Sequence, residues 1–475
     1  MRLEIPFCGP AYKDQSLFIS PQECINFYLH PYPEAGESKM ALVGTPGLEL
    51  WVDLGNAALA RGSLVFGNYL YIVVGNKLYQ VYKNGTAATL GTIGTSTGRI
   101  SISSNGLDVI LVDGFSGYVY DIGAGTFSEI VDPDFPFGAT NVVQVDGYYL
   151  ANLPGTGQVW RSDFNDGTSW NGLAFSTAGG DPDPIISLLA DHRDLYLVGS
   201  KTLEIWYNTG VGTFNFVRNE GAYIEQGGIG SHAICKANNA VYWIGRDESG
   251  QGQVFQAVGR QPKVVSTHPI DYALSGYDLD SAFAFPYQQL GHTFIVFTFP
   301  TDGVTWTYDS TLGLWYQRSS LYAGVAGEWR AYCHSVLDGH HIVGDKSTGK
   351  LYKLKTDVYT EDGTEIISTR TTSIMRAKQD RLTVDEIQIV TEPGVGLITG
   401  DAEDIDPQGL FSWSRDGGRN WSAEVDVPLG KIGETENSAT VTQLGQGRNW
   451  AFRLRISAAV PRIILGAFAE VEKDD

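Results

Sequence analysis

Positive charge is scarce in this 475-residue chain: 33 Lys and Arg stand against 54 Asp and Glu, for a net charge of −21. Affinity for nucleic acid through its phosphates needs a basic surplus, because the release of condensed counterions drives it. That balance argues against a protein that grips DNA, and fits one that stays soluble or lets DNA slide past without sticking. Cysteine is also sparse, and Cys8, Cys24, Cys235 and Cys333 lie too far apart for a zinc ribbon or a disulfide framework. No basic-then-apolar leader opens the chain and no apolar run is long enough to span a bilayer, so no membrane insertion is expected and a reducing cytosol is the expected place of synthesis. Only three Met are present. Helix-building stretches of Ala, Leu, Glu and Lys are lacking, whereas Gly contributes 57 residues and Tyr, Phe and Trp 24, 21 and 11. The composition predicts an all-β protein with enough apolar residues for a large core.

The strongest internal pattern is a recurrent hairpin. Short apolar, aromatic-rich runs end in a Gly, Asn or Asp turn and are followed by a second run that often carries Tyr or Trp. Seven such units begin at Gly67, Asn105, Asp146, Arg193, Asn239, Gly291 and Gly339, a step of about 40 to 50 residues. Alternating apolar and polar positions mark half-buried strands, and the NG, DG and GN turns supply the positive φ that tight hairpins need. A repeat of that length predicts a β-propeller of six or seven blades over residues 61–355, each blade one four-stranded sheet. A blade cannot bury both faces alone, so a ring is required.

Both ends differ in texture. Residues 1–60 are rich in proline, with Pro6, Pro10, Pro21, Pro31 and Pro33, and read as an extended N-terminal arm. Residues 356–475 open with a polar, charged linker. Closely spaced strand-like runs follow, as expected of a C-terminal β-sandwich.

Chemistry-bearing motifs are few. Gly94-Thr95-Ser96-Thr97-Gly98 matches G-x-S-x-G, but no helix follows it, so Ser96 reads as a loop residue rather than a nucleophile. Gly228-Ile229-Gly230 lacks the helix and third glycine of a dinucleotide site. His340 and His341 are neighbours and point to opposite faces of a strand, which cannot chelate one ion. Asp53, Asp113 and Glu220 are candidate carboxylates for glycoside hydrolysis, with nothing in their spacing to select them. Ser414-Arg415-Asp416-Gly417-Gly418-Arg419-Asn420-Trp421 resembles the Asp box. In that hairpin staple the Asp accepts turn amides, the Gly gives positive φ and the Trp anchors the turn. Ser414, Asp416, Gly418 and Trp421 are accordingly structural. No catalytic residue, cofactor or metal ligand is expected, and the chain reads as a non-enzyme. The alternative is a glycan hydrolase or a glycan-binding propeller. A hydrolase needs paired carboxylates and an arginine cluster in the central pit; a binder needs exposed Trp. Trp160, Trp170, Trp206, Trp243, Trp306, Trp315 and Trp329 read mostly as blade anchors.

Cys24-Ile25-Asn26-Phe27-Tyr28, Pro33-Glu34 and the Lys39–Leu48 run ending Gly44-Thr45-Pro46-Gly47-Leu48 resemble the opening signature of a phage family, the packaged-DNA-stabilisation or tail-hub (head-closure) proteins of short-tailed phages of the Salmonella type. The DPDPIIS stretch from Asp181, Glu225-Gln226-Gly227-Gly228-Ile229-Gly230, the Gly344–Leu354 hairpin and the Trp413–Trp421 turn before FRLRI are similar to it as well. The resemblance implies a structural virion protein. It would form a hexameric ring below the portal adaptor, close the head, retain packaged double-stranded DNA and conduct it through the lumen at ejection. It also implies tail fibres or spikes and a needle or plug as partners, and a place in the virion tail after assembly in the host cytoplasm. An anionic lumen would repel DNA phosphates. Cys24, Asn26, Tyr28, Pro46 and Gly47 are then expected to meet the adaptor or a neighbouring subunit. The plainer reading of the same residues is an arm packed on a blade, with Asn26 bonding a turn and Tyr28 capping the core.

Overall fold

In the computed structural model, described for all residues except 10–12, 35–36, 181–182, 248, 378–379, 435, 437–438 and 474–475, seven four-stranded antiparallel sheets stand in a ring. Pro10, the Asp181-Pro182 opening of the DPDPIIS stretch and the last two residues of the acidic tail lie outside the described residues. Six blades run in chain order over residues 60–92, 101–129, 142–177, 185–224, 234–264 and 283–322. The seventh takes three strands from residues 331–355. Its fourth, Gly47–Asp53, comes from the N-terminal stretch and lies antiparallel to Lys350–Lys355, with Leu351 opposite Val52 and Leu354 opposite Leu48. The first strand of each blade touches that of the next, and Ala331–Leu337 touches Ala60–Phe66, which closes the ring.

Alternation explains why the sheets assemble. Residues 70–74 and Asp108–Val112 are buried on both faces, so each blade presses apolar side chains against both neighbours. Between blades 1 and 2 these are Tyr71, Val73, Leu111 and Tyr118. Between blades 7 and 1 they are Ile72, Cys333, Ile342 and Val52. Asn and Asp take positive φ at hairpin turns such as Asp146, Asn239 and Asp338, where short polar side chains tolerate the left-handed region.

The C-terminal body is a β-sandwich. One sheet holds Leu382–Thr391, Ala439–Gly447 and Ile463–Lys473; the other holds Ser368–Thr371, Gln408–Ser414, Val425–Pro428 and Ala451–Ile456. The N-terminal stretch is extended but does not hang free, and it is shared among three sheets. Arg2–Ile5 and the hairpin Phe27–Glu34/Glu37–Gly44 join the first sandwich sheet, Glu23–Ile25 joins the second, and Gly47–Asp53 completes blade 7. Glu23–Ile25 also lies parallel to the outer strand of blade 6, with Ile25 opposite Gln317, so one hydrogen-bonded sheet runs from the propeller into the sandwich. A single apolar cluster spans the junction, from Phe285, Tyr287 and Trp329 of the propeller to Phe411, Trp450 and Phe452 of the sandwich.

Candidate functional site: the clasp and the propeller channel

The signature residues of the N-terminal stretch converge on this junction. Asn26 is 2% exposed, with φ +56°. Its Nδ2 donates to the carbonyls of Ser319 (blade 6) and Ile367 (sandwich), both at 2.9 Å, and its Oδ1 accepts the Ser319 amide at 3.0 Å. Its own carbonyl accepts the Thr45 amide and the Ser368 hydroxyl. The side-chain amide is thus satisfied by both the propeller and the sandwich, and a buried amide so satisfied is stable.

Arginines secure the same seam. Arg318 Nη2 donates to the Pro46 carbonyl at 3.1 Å while its guanidinium lies 3.6 Å from the Trp329 ring centroid. Arg462 bridges Ile366 and Thr45 carbonyls, and Arg370 donates to the Phe7 carbonyl at 2.7 Å. Gly47 admits no side chain, since a Cβ there would sit 2.4 Å from the carbonyl oxygens of Val358 and Thr360. Tyr28 packs edge-on against His292 and Phe294, and burial pushes its hydroxyl up to about 12. Burial likewise raises the Cys24 thiol to about 11, which leaves it an inert, protonated core group. A polar chain crosses here too: Asp309 Oδ2 lies 2.7 Å from His292 Nδ1, and His292 Nε2 lies 3.0 Å from His30 Nδ1 on the sandwich hairpin.

Cys24, Asn26, Tyr28, Pro46 and Gly47, the residues expected to meet the adaptor or a neighbouring subunit, are all buried within the chain at this junction. Paired strand edges and a satisfied buried amide account for that burial.

The second feature is the channel on the propeller axis, a cavity of about 470 Å³ lined by the first strands of all seven blades. Its 26 lining residues include seven from the runs Gly62-Ser63-Leu64 and Ser101–Ser104, together with Asn141, Gln144 and Ser187, and none is an Asp or Glu. Arg99 reaches across it from the crossover into blade 2. The guanidinium sits 4.1 Å over the Phe283 ring of blade 6 and donates to the Tyr332 carbonyl of blade 7. His232 and His334 also line the channel, and burial holds both far below the usual imidazole value, at about 3. For His232 the charge of Arg99 adds to that depression, and for His334 its 2.9 Å partner His341 does.

The remaining candidates are scattered or structural. Asp53, Asp113 and Glu220 lie on blades 7, 2 and 4. Asp113 is occupied by the Thr95 hydroxyl and the amides of Phe115 and Ser116. Ser96 is exposed in the crossover between blades 1 and 2, a loop held by buried Arg61 through the carbonyls of Thr95, Thr97 and Gly98. His340 is exposed, while His341 turns inward to His334. In the 414–421 turn Asp416 Oδ1 accepts the amides of Arg419 and Asn420 and the Ser414 hydroxyl, and Ser414 Oγ accepts the Gly418 amide at 2.8 Å. Trp421 is half-buried beneath Arg453, 3.9 Å from ring centroid to guanidinium carbon, rather than set in the core. Trp170, Trp206, Trp243, Trp306, Trp315 and Trp329 are buried, and Trp160 stacks on Phe175. Among the described residues no cluster of three or more His, Cys, Asp or Glu is placed to hold a metal ion, and no helix is long and apolar enough to cross a membrane.

Sequence reasoning missed Arg99, Arg318, Arg370 and Arg462. Each lies in ordinary-looking strand or turn sequence, and nothing local signals that its partners are carbonyls hundreds of residues away.

Comparison with solved structures returns distant likenesses. PorZ of the type-IX secretion system of Porphyromonas gingivalis is 12% identical with a TM-score of 0.38, over 80% of this chain and 46% of that one, less than half its length. A chain of the mitotic checkpoint complex is 12% identical with a TM-score of 0.40, over 68% and 97% of the two chains. YCF48 from Cyanidioschyzon merolae is 12% identical with a TM-score of 0.42, over 65% and 99%. Likenesses of that size say nothing of function. No curated protein matches the chain. Two family descriptions do match, "Bacteriophage P22 Gp10, beta-propeller" over residues 8–359 and "Bacteriophage P22 Gp10, beta-sandwich" over residues 368–472. Matched in chain order across propeller and sandwich alike, this chain belongs to the P22 Gp10 family, the structural tail-hub and DNA-stabilisation proteins of Salmonella-type podoviruses.

Proposed function

We propose that this protein closes the head-to-tail channel of a short-tailed phage, retains the packaged genome and conducts it at ejection as part of a ring, hexameric by the family resemblance. The observation that carries the reading is the family match across both domains. Geometry supplies a further argument. The propeller's own channel is the size of a small-ligand pocket, with Arg99 lying across it, whereas the major groove of duplex DNA alone is about 12 Å wide. DNA therefore has no route through one propeller, and a conduit needs the lumen of several copies. The excess of 54 acidic over 33 basic residues suits a lumen that repels phosphates and does not hold the genome back. The portal adaptor on one side, and fibres or spikes with a needle or plug on the other, are the partners this role requires. The virion tail is its place, reached by assembly in the host cytoplasm.

The glycan-hydrolase alternative finds no support in the channel, whose lining holds no carboxylate and a single arginine. The glycan-binding alternative is weakened by the burial of the blade tryptophans. The test is genome retention. Heads packaged without this protein are expected to fill and then lose their DNA to added nuclease, with retention restored by the purified protein. Heads that keep their DNA without it would overturn the reading.

A further inference from the structure

We propose that Arg99 makes the propeller channel a socket for one carboxylate group, free or carried on a peptide.

Among the described residues Arg99 makes the fewest hydrogen bonds of the arginines held inside the fold, although Arg318 and Arg462 also leave an Nε–H without an acceptor. Arg61 spends its guanidinium on five hydrogen bonds, Arg330 is paired with Asp345 at 2.9 Å, and Arg462 bridges two carbonyls. Arg99 makes one hydrogen bond, to the Tyr332 carbonyl, and its Nε–H is shielded from solvent with no acceptor. No carboxylate pairs with it among the described residues, in a chain with 54 acids. Arg99 is partly exposed to the channel and carries its charge there without a protein counter-charge, the position a ligand anion would fill.

Its surroundings select the anion. Arg99 lines two adjoining cavities, the axial one of about 470 Å³ and one at the mouth of about 400 Å³. The mouth carries Asp113, already spent on Thr95 and two amides, and Asp280, exposed at the rim. The axial cavity has no acid. Its other cation, Lys236, is neutralised by Asp191, which leaves Arg99 as the one uncompensated charge there. Ser103 and Gln144 also line the axial cavity, as hydroxyl and amide donors. A planar guanidinium fork matches a carboxylate in geometry, and the Phe283 ring beneath it fixes the plane.

The test uses the full chain. Succinate, the tripeptide Gly-Gly-Asp with its C-terminus amidated, and the matching Gly-Gly-Asn amide are titrated by calorimetry at constant ionic strength. Succinate and the Asp peptide are expected to bind and the Asn peptide to bind at least tenfold more weakly. Arg99→Met is expected to lose at least tenfold for both carboxylates. Arg99→Lys, which keeps the charge without the fork, holds the same question open to measurement should the Met variant not fold, and is expected to bind several-fold more weakly than the parent. Binding of succinate alone identifies a free acid as the ligand; binding of the Asp peptide alone identifies a peptide-borne one. No binding of either by the parent at 50 mM, or equal binding by parent and Arg99 variants, overturns the proposal. It is independent of the hub reading, since a leaking head and an empty socket are separate results.

Discussion

Acid is expected to loosen the propeller from its axis outward, through His232 and His334. Both imidazoles are held at about 3 by burial, whereas in an unfolded chain they titrate near 6.5. Below pH 6.5 the unfolded chain therefore takes up protons that the folded one refuses, so stability falls as pH falls. Each unit between the two values is worth about 1.4 kcal/mol per group. At pH 5.0 the loss is about 2 kcal/mol for each histidine and roughly 4 kcal/mol for the pair. Asp and Glu ordinarily titrate lower, so pH 7 to 5 reports chiefly the imidazoles, with Glu361 and Asp108, whose carboxyls burial raises, acting in the opposite direction. His30 and His341, both also depressed by burial, act in the same direction. Against a typical domain stability of about 5–15 kcal/mol the effect is large. Urea titrations followed by tryptophan fluorescence at pH 7.0 and 5.0 measure it directly, and their pH slope should report uptake of about two protons on unfolding. The double variant His232→Gln, His334→Gln should lose most of the pH dependence. A difference below about 1 kcal/mol in the parent, or an equal difference in the double variant, would refute the reasoning.

Two further substitutions probe the scaffold. Asn26→Ala leaves the Ser319 amide and the Ser319 and Ile367 carbonyls without partners, about 3 kcal/mol, and adds roughly 1 kcal/mol for Ala at φ +56°. Asn26→Gly should recover only that last part in denaturant melts, and a loss below 1 kcal/mol for the Ala variant would show that the clasp contributes little. Arg61→Met strands the carbonyls of Gly75, Thr95 and Gly98 and is expected to destabilise by about 3 kcal/mol, whereas exposed Ser96→Ala in the same loop changes stability by less than about 0.5 kcal/mol. Equal effects of the two in thermal unfolding would contradict the assignment of Arg61 as the holder of that loop.

The blades were legible because a hairpin is a local object. Its turn chemistry and alternation lie within some twenty residues, as in Tyr69–Val74 and Lys77–Tyr82, and their repetition points to a ring. Ring closure was not legible. Gly47–Asp53 has a strand's pattern, but its partner Lys350–Lys355 lies some three hundred residues away, and nothing in either run names the other. The clasp hides for the same reason, since Asn26 looks like a turn residue until Ser319 and Ile367 are brought to it. The residues that the resemblance implies as contacts lie where the chain contacts itself. This has a mechanical consequence. The strand that completes blade 7, the hairpin that builds the sandwich sheet and the residue that joins blade 6 to Ser368–Thr371 all lie within residues 23–53, so the two domains are tied at their shared N-terminal segment. A load applied to the sandwich reaches the propeller through paired strands and a common core rather than through a flexible linker. That construction suits the head-closing role proposed above.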